Sequence, residues 1–199
     1  MELYLIRHTT PDVENGLCYG QSEVPLSRSF SSECKFLQDQ LPGSFDALFT
    51  SPSRRCRILS EQFTSEKFFV DARLLELSFG AWEMKRWAEI DPRTVQEWMA
   101  NFVNQSVPGG ESFAQLFSRV NDFIRDLLAN DYSKVAIVTH AGVIRCFVAY
   151  ILAVPLHDAF KISVDYASIT SVHVDGDASL QKVLRLNMSR TASVHSSCR

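Results

Sequence analysis

The chain alternates short apolar runs with longer amphipathic ones. Leu3–Ile6, Ala47–Phe49, Phe68–Val70 and Val135–Val138 are apolar stretches of strand length. The first and last are nearly uninterrupted, as expected of strands buried on both faces. Between them, Ser29–Gln40 and Pro52–Phe63 carry apolar residues at helical spacing. The strongest helical pattern covers residues 112–129: Phe113, Leu116, Phe117, Val120, Phe123, Leu127 and Leu128 share one face, with Arg119, Asp122 and Arg125 away from it. Ser112, with Gln115 three positions on, predicts a capping box directly after the Pro108-Gly109-Gly110 turn. Val143–Leu152 predicts a further, mostly apolar helix. Residues 168–174 and 181–188 predict two late strands joined as a hairpin through Asp175-Gly176-Asp177.

Alternation of this kind predicts an α/β sheet with crossover helices. No repeat or linker interrupts it. Residues 1–188 are therefore expected to form one domain, and the polar tail over 189–199 to be disordered.

Composition narrows the function classes. With 199 residues, 46% apolar and 22% charged, the chain has ordinary globular proportions, and a net charge of −3 argues against a nucleic-acid surface. No apolar stretch approaches the roughly 20 residues of a membrane span, and the N-terminus lacks a secretory pattern. The five cysteines, Cys18, Cys34, Cys56, Cys146 and Cys198, are scattered without a CxxC pair. That makes a disulfide framework or zinc site unexpected and a cytoplasmic setting the simplest one.

Candidate chemistry gathers at strand ends. In open α/β sheets, ligands bind beyond the carboxyl ends of the strands. Arg7 and His8 end the first apolar run; His140 ends the run Val135–Val138, and Ala141-Gly142 open the following helix. One histidine after a strand is commonly structural, whereas two at two strand ends favour a ligand site. In "TSPSRRCR", Ser51 suits an N-cap and Pro52 the first helical position. Arg54 and Arg55 then lie where the helix dipole disfavours cations, unless an anion is held nearby. Arg55 shares the face of Leu59 and Phe63, hence inward, while Arg54 and Arg57 point outward. Glu76 sits among Leu74, Leu75, Leu77, Phe79 and Trp82. It is either a carboxylate in apolar surroundings, which suits a general acid, or a solvent-facing residue between buried leucines. Glu83 has a weaker case. Two arginines, two histidines and a carboxylate suit phosphoryl chemistry: arginine forks bind phosphate oxygens, imidazole can attack phosphorus, and a carboxyl can protonate the leaving oxygen.

"LIRH", "SPSRR", "LLELSFGAWEM" and "VTHAGV", in this order, resemble the histidine phosphatase superfamily, with its phosphoglycerate-mutase-like fold. Within it, "NGLCYGQSEVPLS", "FGAWEMKRW" and "VPGGESF" are most similar to the α-ribazole phosphatases, a cobalamin-pathway group. The resemblance implies a three-layer α/β/α sandwich with a mainly parallel sheet and a metal-independent phosphomonoesterase without cofactor. His8 would be the phosphorylated nucleophile, Glu76 the proton donor, and Arg7, Arg55 and His140 the phosphate pocket. Asn15, Gln21 and Ala141 would contact substrate, a small phosphate monoester. The motifs depart from the common pattern at Thr9, Thr10, Ser53 and Ala141.

Rival readings are a broad-specificity phosphatase, a phosphoglycerate mutase, a metal-dependent hydrolase and a non-catalytic module that binds phosphorylated ligands. The aromatic residues Trp87, Trp98 and Phe102 either line a nucleoside-sized pocket or pack a core; core is the favoured reading.

Overall fold

Leu3, Leu5 and Ile6 have no exposed surface, so the first strand lies at the centre of a sheet rather than at its edge. In the computed structural model, which describes residues 1–175 and 180–190, the chain opens with β1 (Glu2–Arg7), β2 (Leu17–Cys18), α1 (Phe30–Gln40), β3 (Phe45–Thr50), α2 (Arg54–Ser60) and β4 (Ser65–Val70). It continues with β5 (Lys85–Arg86), α3 (Pro92–Asn101), α4 (Phe113–Leu128), β6 (Lys134–Thr139), α5 (Ala141–Leu152), β7 (Ile169–His173) and β8 (Lys182–Met188). Six strands pair in the order β4-β3-β6-β1-β7-β8. β1, β3, β4 and β6 are parallel to their neighbours within that group, while β7 and β8 are antiparallel additions at one side. Parallel neighbours need crossovers, and the helices between them supply these.

Strand alternation divides the core into two layers. Leu3, Leu5, Ala47, Val135 and Ile137 pack with α4 and α5, whereas Ile6, Leu48, Ala136 and Val138 pack with Cys34 and Leu37 of α1 and Cys56 and Leu59 of α2. The expected mainly parallel α/β/α sandwich is the observed fold.

Several boundaries moved. Ser112 and Gln115 form the expected capping box, with each side chain bonding the other's backbone N–H. α2 instead starts two residues later than expected. Ser53 stands at its N-cap without a side-chain bond, and the Glu23 carboxylate accepts the Arg54 N–H from outside the helix. Strand β4 is an exposed edge, with Phe68 46% accessible. The stretch after residue 84, to which the sequence pattern assigns no element, contains β5 and α3, the latter signed by Asp91 as N-cap and Pro92 in its first turn. Trp98 and Phe102 are buried against Trp82, Trp87 and Phe113, so they are core rather than pocket. The β7–β8 pairing is present, but Gly176 and Asp177 of its expected turn lie outside the described residues, as do residues 191–199 with Cys198. Ser189, expected to begin the loose tail, is buried and bonds Asp165. Cys18, Cys34, Cys56 and Cys146 are buried free thiols. Among the described residues, no helix is long and apolar enough to cross a membrane.

Candidate active site

β1 and β6 are neighbours, so their carboxyl ends bring His8 and His140 together with ring centroids 5.2 Å apart. β3 leads into α2 beside them and delivers Arg55. His8 is clamped by its backbone, its N–H donating to Thr139 and its carbonyl accepting from Ala167. The His8 side chain is buried, with Nδ1 2.8 Å from the Thr9 carbonyl oxygen. A carbonyl can only accept, so Nδ1 carries the proton and Nε2 keeps its lone pair. Burial, and then the charges of Arg7 and Arg55, hold the His8 pKa well below the usual histidine value. A neutral imidazole with a free Nε2 is a nucleophile.

His140 is equally buried and is held the other way round. Its Nε2 lies 2.8 Å from Ser51 Oγ, and its Nδ1 faces the Arg55 Nη2 at 3.4 Å. Since guanidinium only donates, Nδ1 is the acceptor and Nε2–H points to Ser51. Ser51, expected as a helix cap, therefore orients a histidine instead. Burial, with the neighbouring His8 and arginines, also lowers the His140 pKa. In this state both of its nitrogens are engaged by protein groups.

Arg55 has no exposed surface, as its helical face predicted, while Arg54 and Arg57 are exposed. Its Nη1 and Nη2 donate to the carbonyls of Ser22 (2.9 Å) and Gly20 (2.8 Å). Arg7 Nη1 donates to the Val164 carbonyl. The Nε–H groups of both arginines are buried without a protein partner. Buried N–H groups rarely stay orphaned, and two on neighbouring guanidinium groups mark a place for an anion.

Glu76 matches neither of the two readings left open for it: it is half-buried, and its carboxylate is held by backbone donors. Its Oε1 accepts from the backbone N–H of Leu77 (3.0 Å) and of Gly142 (3.1 Å), an otherwise free donor in the first turn of α5. The approach needs glycine: a Cβ at position 142 would lie 3.0 Å from Leu116 Cδ2 and would overlap Glu76 Oε1. Gln21 reaches the same segment through Nε2, which donates to the Glu76 carbonyl. Ala141 is buried at the start of α5. Asn15 is not brought in. It is exposed in the turn before β2, beside the Glu14–Arg86 ion pair, and forms no hydrogen bond to these groups.

Three residues set the geometry from further off. Glu83 accepts from the N–H groups of Gln21 and Phe79 and from Ser22 Oγ, so it fixes the loop whose carbonyls hold Arg55. Arg119, expected as a surface charge on α4, instead donates to the carbonyls of Arg73, Leu75 and Glu76 and pairs with Glu111. Burial would raise the Glu111 carboxyl, but Arg119 and the Ser78 N–H outweigh it and hold it below its usual range. The Glu111 of "PGGE", eight residues before Arg119, was the available signal for this clamp.

Cys56 lies 3.6 Å from His140 Nε2, but burial pushes its thiol up to about 12, so it stays protonated. Among the described residues, no three His, Cys, Asp or Glu side chains converge on a metal position.

The whole chain is similar to known phosphatases. Residues 3–188 match the Histidine phosphatase superfamily (branch 1), and the chain belongs to that superfamily. It is a phosphatase, an enzyme of phosphate-ester hydrolysis. A Hydrogenobacter thermophilus protein provisionally named phosphoserine phosphatase 2 is 28% identical over 89% of this chain and 91% of its own length. The adenosylcobalamin/α-ribazole phosphatase of Escherichia coli K12 is 25% identical, covering 92% of this chain and 95% of its own. The α-ribazole phosphatase structure from Shigella flexneri superposes with a TM-score of 0.84 at 24% identity, over 94% of this chain and 96% of that one.

Proposed function

We propose that the protein is a metal-independent phosphomonoesterase working through a phosphohistidine at His8, with α-ribazole phosphate as its substrate. The observation that carries the reaction is the neutral His8 with its proton fixed on Nδ1, set between two arginines whose Nε–H groups have no protein partner. Nε2 attacks phosphorus, a P–N bond forms, and the ester P–O bond breaks. The leaving oxygen takes its proton from Glu76. In the second step Glu76 removes a proton from water, whose oxygen attacks phosphorus. The P–N bond breaks, phosphate leaves, and His8 returns neutral. Arg7 and Arg55 meet the charge on the phosphoryl oxygens, which is the work a metal does in other phosphatases. The single domain over residues 1–188 is part of this reading.

The substrate choice rests on the motifs of residues 15–27, 79–87 and 107–113 and on the names of the Escherichia coli and Salmonella relatives. A second reading, phosphoserine, is favoured by the names of the Hydrogenobacter relatives. Rapid-quench labelling with radioactive phosphate ester tests the nucleophile. An acid-labile, base-stable label mapping to His8, absent in His8→Asn, is expected; a label on Ser, Thr, Asp or Cys overturns it. Comparing kcat/KM for α-ribazole phosphate and phosphoserine, with chelator present, decides the substrate and the metal independence.

A further inference from the structure

His8, His140 and Arg55 are each at most 1% exposed, so only a narrow opening leads to the His8 imidazole, and a bulky ester needs it widened. What covers them is a pair of tyrosines from distant parts of the chain. Tyr19 follows β2 and Tyr166 precedes β7, and their hydroxyl oxygens meet at 2.8 Å. The Tyr166 ring lies 5.5 Å from the His8 ring, and the Arg7 guanidinium sits 3.7 Å from its centroid. The Arg55 guanidinium lies 5.2 Å from the Tyr19 centroid. Each tyrosine therefore covers one of the two arginines, and the hydroxyl bridge closes the space between them.

Both backbones are tethered. Ser22 N–H bonds the Tyr19 carbonyl, and Glu83 holds Gln21 and Ser22 just beyond. On the other side, Ala167 N–H bonds the His8 carbonyl, and Asp165 N–H bonds Asn187. Motion is left to the side chains. Tyr166 also lines an open cavity of about 650 Å³, bordered by Arg7, Glu33 and Asp165, which gives its ring somewhere to turn.

We propose that Tyr19 and Tyr166 form a hydroxyl-bridged clasp over the phosphate pocket, and that rotation of Tyr166 toward the adjoining cavity selects esters by the bulk of the alcohol next to phosphorus. This rests on His8 being the group the ester must reach. A small alcohol needs a slight parting of the two rings; a bulky one needs the bridge broken. The tyrosines are positioning residues and take no part in bond making.

Tyr19→Phe and Tyr166→Phe keep both rings over the arginines and remove only the bridge. Access is read without catalysis, by diethyl pyrocarbonate labelling of His8 against the exposed His157, quantified by mass spectrometry, with thermal unfolding confirming the fold. Losing one hydrogen bond between neutral hydroxyls should raise the His8 to His157 labelling ratio by about threefold to tenfold in each variant. In parallel, kcat/KM for a nucleoside 5′-monophosphate should rise by a similar factor while that for ethyl phosphate changes less than twofold. An unchanged labelling ratio in both variants overturns the clasp. Faster labelling with an unchanged preference between the two esters overturns its role in selection. Faster labelling in a protein that hydrolyses neither ester leaves the clasp standing and counts instead against the proposed reaction.

Discussion

Gly142→Ala separates the placement of Glu76 from the stability of the fold. The methyl group would project into the space Glu76 Oε1 occupies, with Glu76 Cδ at 3.5 Å and Leu116 Cδ2 at 3.0 Å from it. The Leu116 methyl can yield, but the carboxylate oxygen must retreat by roughly 1 Å to reach an ordinary nonbonded separation. That retreat also stretches the 3.1 Å hydrogen bond from the residue 142 N–H. A catalytic group misplaced by about 1 Å costs on the order of 100-fold in rate. The fold should notice little, because alanine is a better helix former than glycine by up to about 1 kcal/mol, which offsets the lost bond. The loss should depend on the leaving group. In the proposed reaction an alkoxide needs a proton from Glu76 and a nitrophenolate does not, so phosphoryl transfer from nitrophenyl phosphate to His8 should fall far less than transfer from an alkyl ester. The assay is single-turnover kinetics on both esters beside a thermal unfolding curve. Alkyl-ester turnover within twofold of wild type would refute the reasoning, as would equal losses on the two esters.

Arg55→Lys should reduce kcat/KM a few hundredfold, about 3–4 kcal/mol of transition-state stabilisation, while the exposed Arg54→Lys should stay within twofold; equal effects in a kinetic comparison contradict the assignment. His8 and His140 both have folded pKa values lowered below their unfolded ones, so the unfolded chain binds more protons as pH falls. Stability is then full above about pH 6.5 and is lost below it, at up to about 1.4 kcal/mol per pH unit for each group, and urea unfolding at pH 7, 6 and 5 should show it.

The parts of the fold legible in the sequence are those whose burial is extreme. β1 and β6 are apolar on both faces, and α4 carries one continuous apolar stripe with a complete capping box, so local pattern and tertiary environment agree. β2 and β5 have two residues each and no period to detect; only their pairing makes them strands. α3 did carry a start signal in Asp91-Pro92, but its inward face is little more than Trp98. At the site, His8, His140 and Arg55 were readable because a strand end or a helical face fixes where they point. The surroundings of Glu76 stayed open in the sequence because one of its two donors comes from Gly142, 66 residues later. Glu111, Arg119 and the two tyrosines escaped for the same reason, and so did the loop-holding part of Glu83, which the sequence offered only as a weaker candidate acid. They act on backbone groups or partners far along the chain, and apart from the short Glu111–Arg119 spacing the local pattern gives no sign of that.

The loop of residues 20–23 explains how a guanidinium can be buried with no carboxylate paired to it among the described residues. An isolated buried charge is costly, and a carboxylate partner would neutralise the pocket that an anion has to enter. The chain uses dipoles instead. The carbonyls of Gly20 and Ser22 take Nη2 and Nη1 of Arg55, which partly compensates the charge without cancelling it. Those carbonyls stay aimed because acidic side chains hold the loop at both ends: Glu83 on Gln21 and Ser22, and Glu23 on the first N–H of α2. Gly20 is part of the same fitting, since its φ of +43° is left-handed and a Cβ there would come 3.1 Å from the Leu77 carbonyl and overlap the Glu83 carboxylate. The two carboxylates are thus engaged by backbone N–H groups and the Ser22 hydroxyl and kept off the arginine. Arg55 remains positive and rigidly oriented, with Nε–H as the donor left without a protein partner, and both histidines stay neutral beside it. A phosphate dianion entering such a site replaces no internal ion pair, and this is what makes the arrangement suited to binding it.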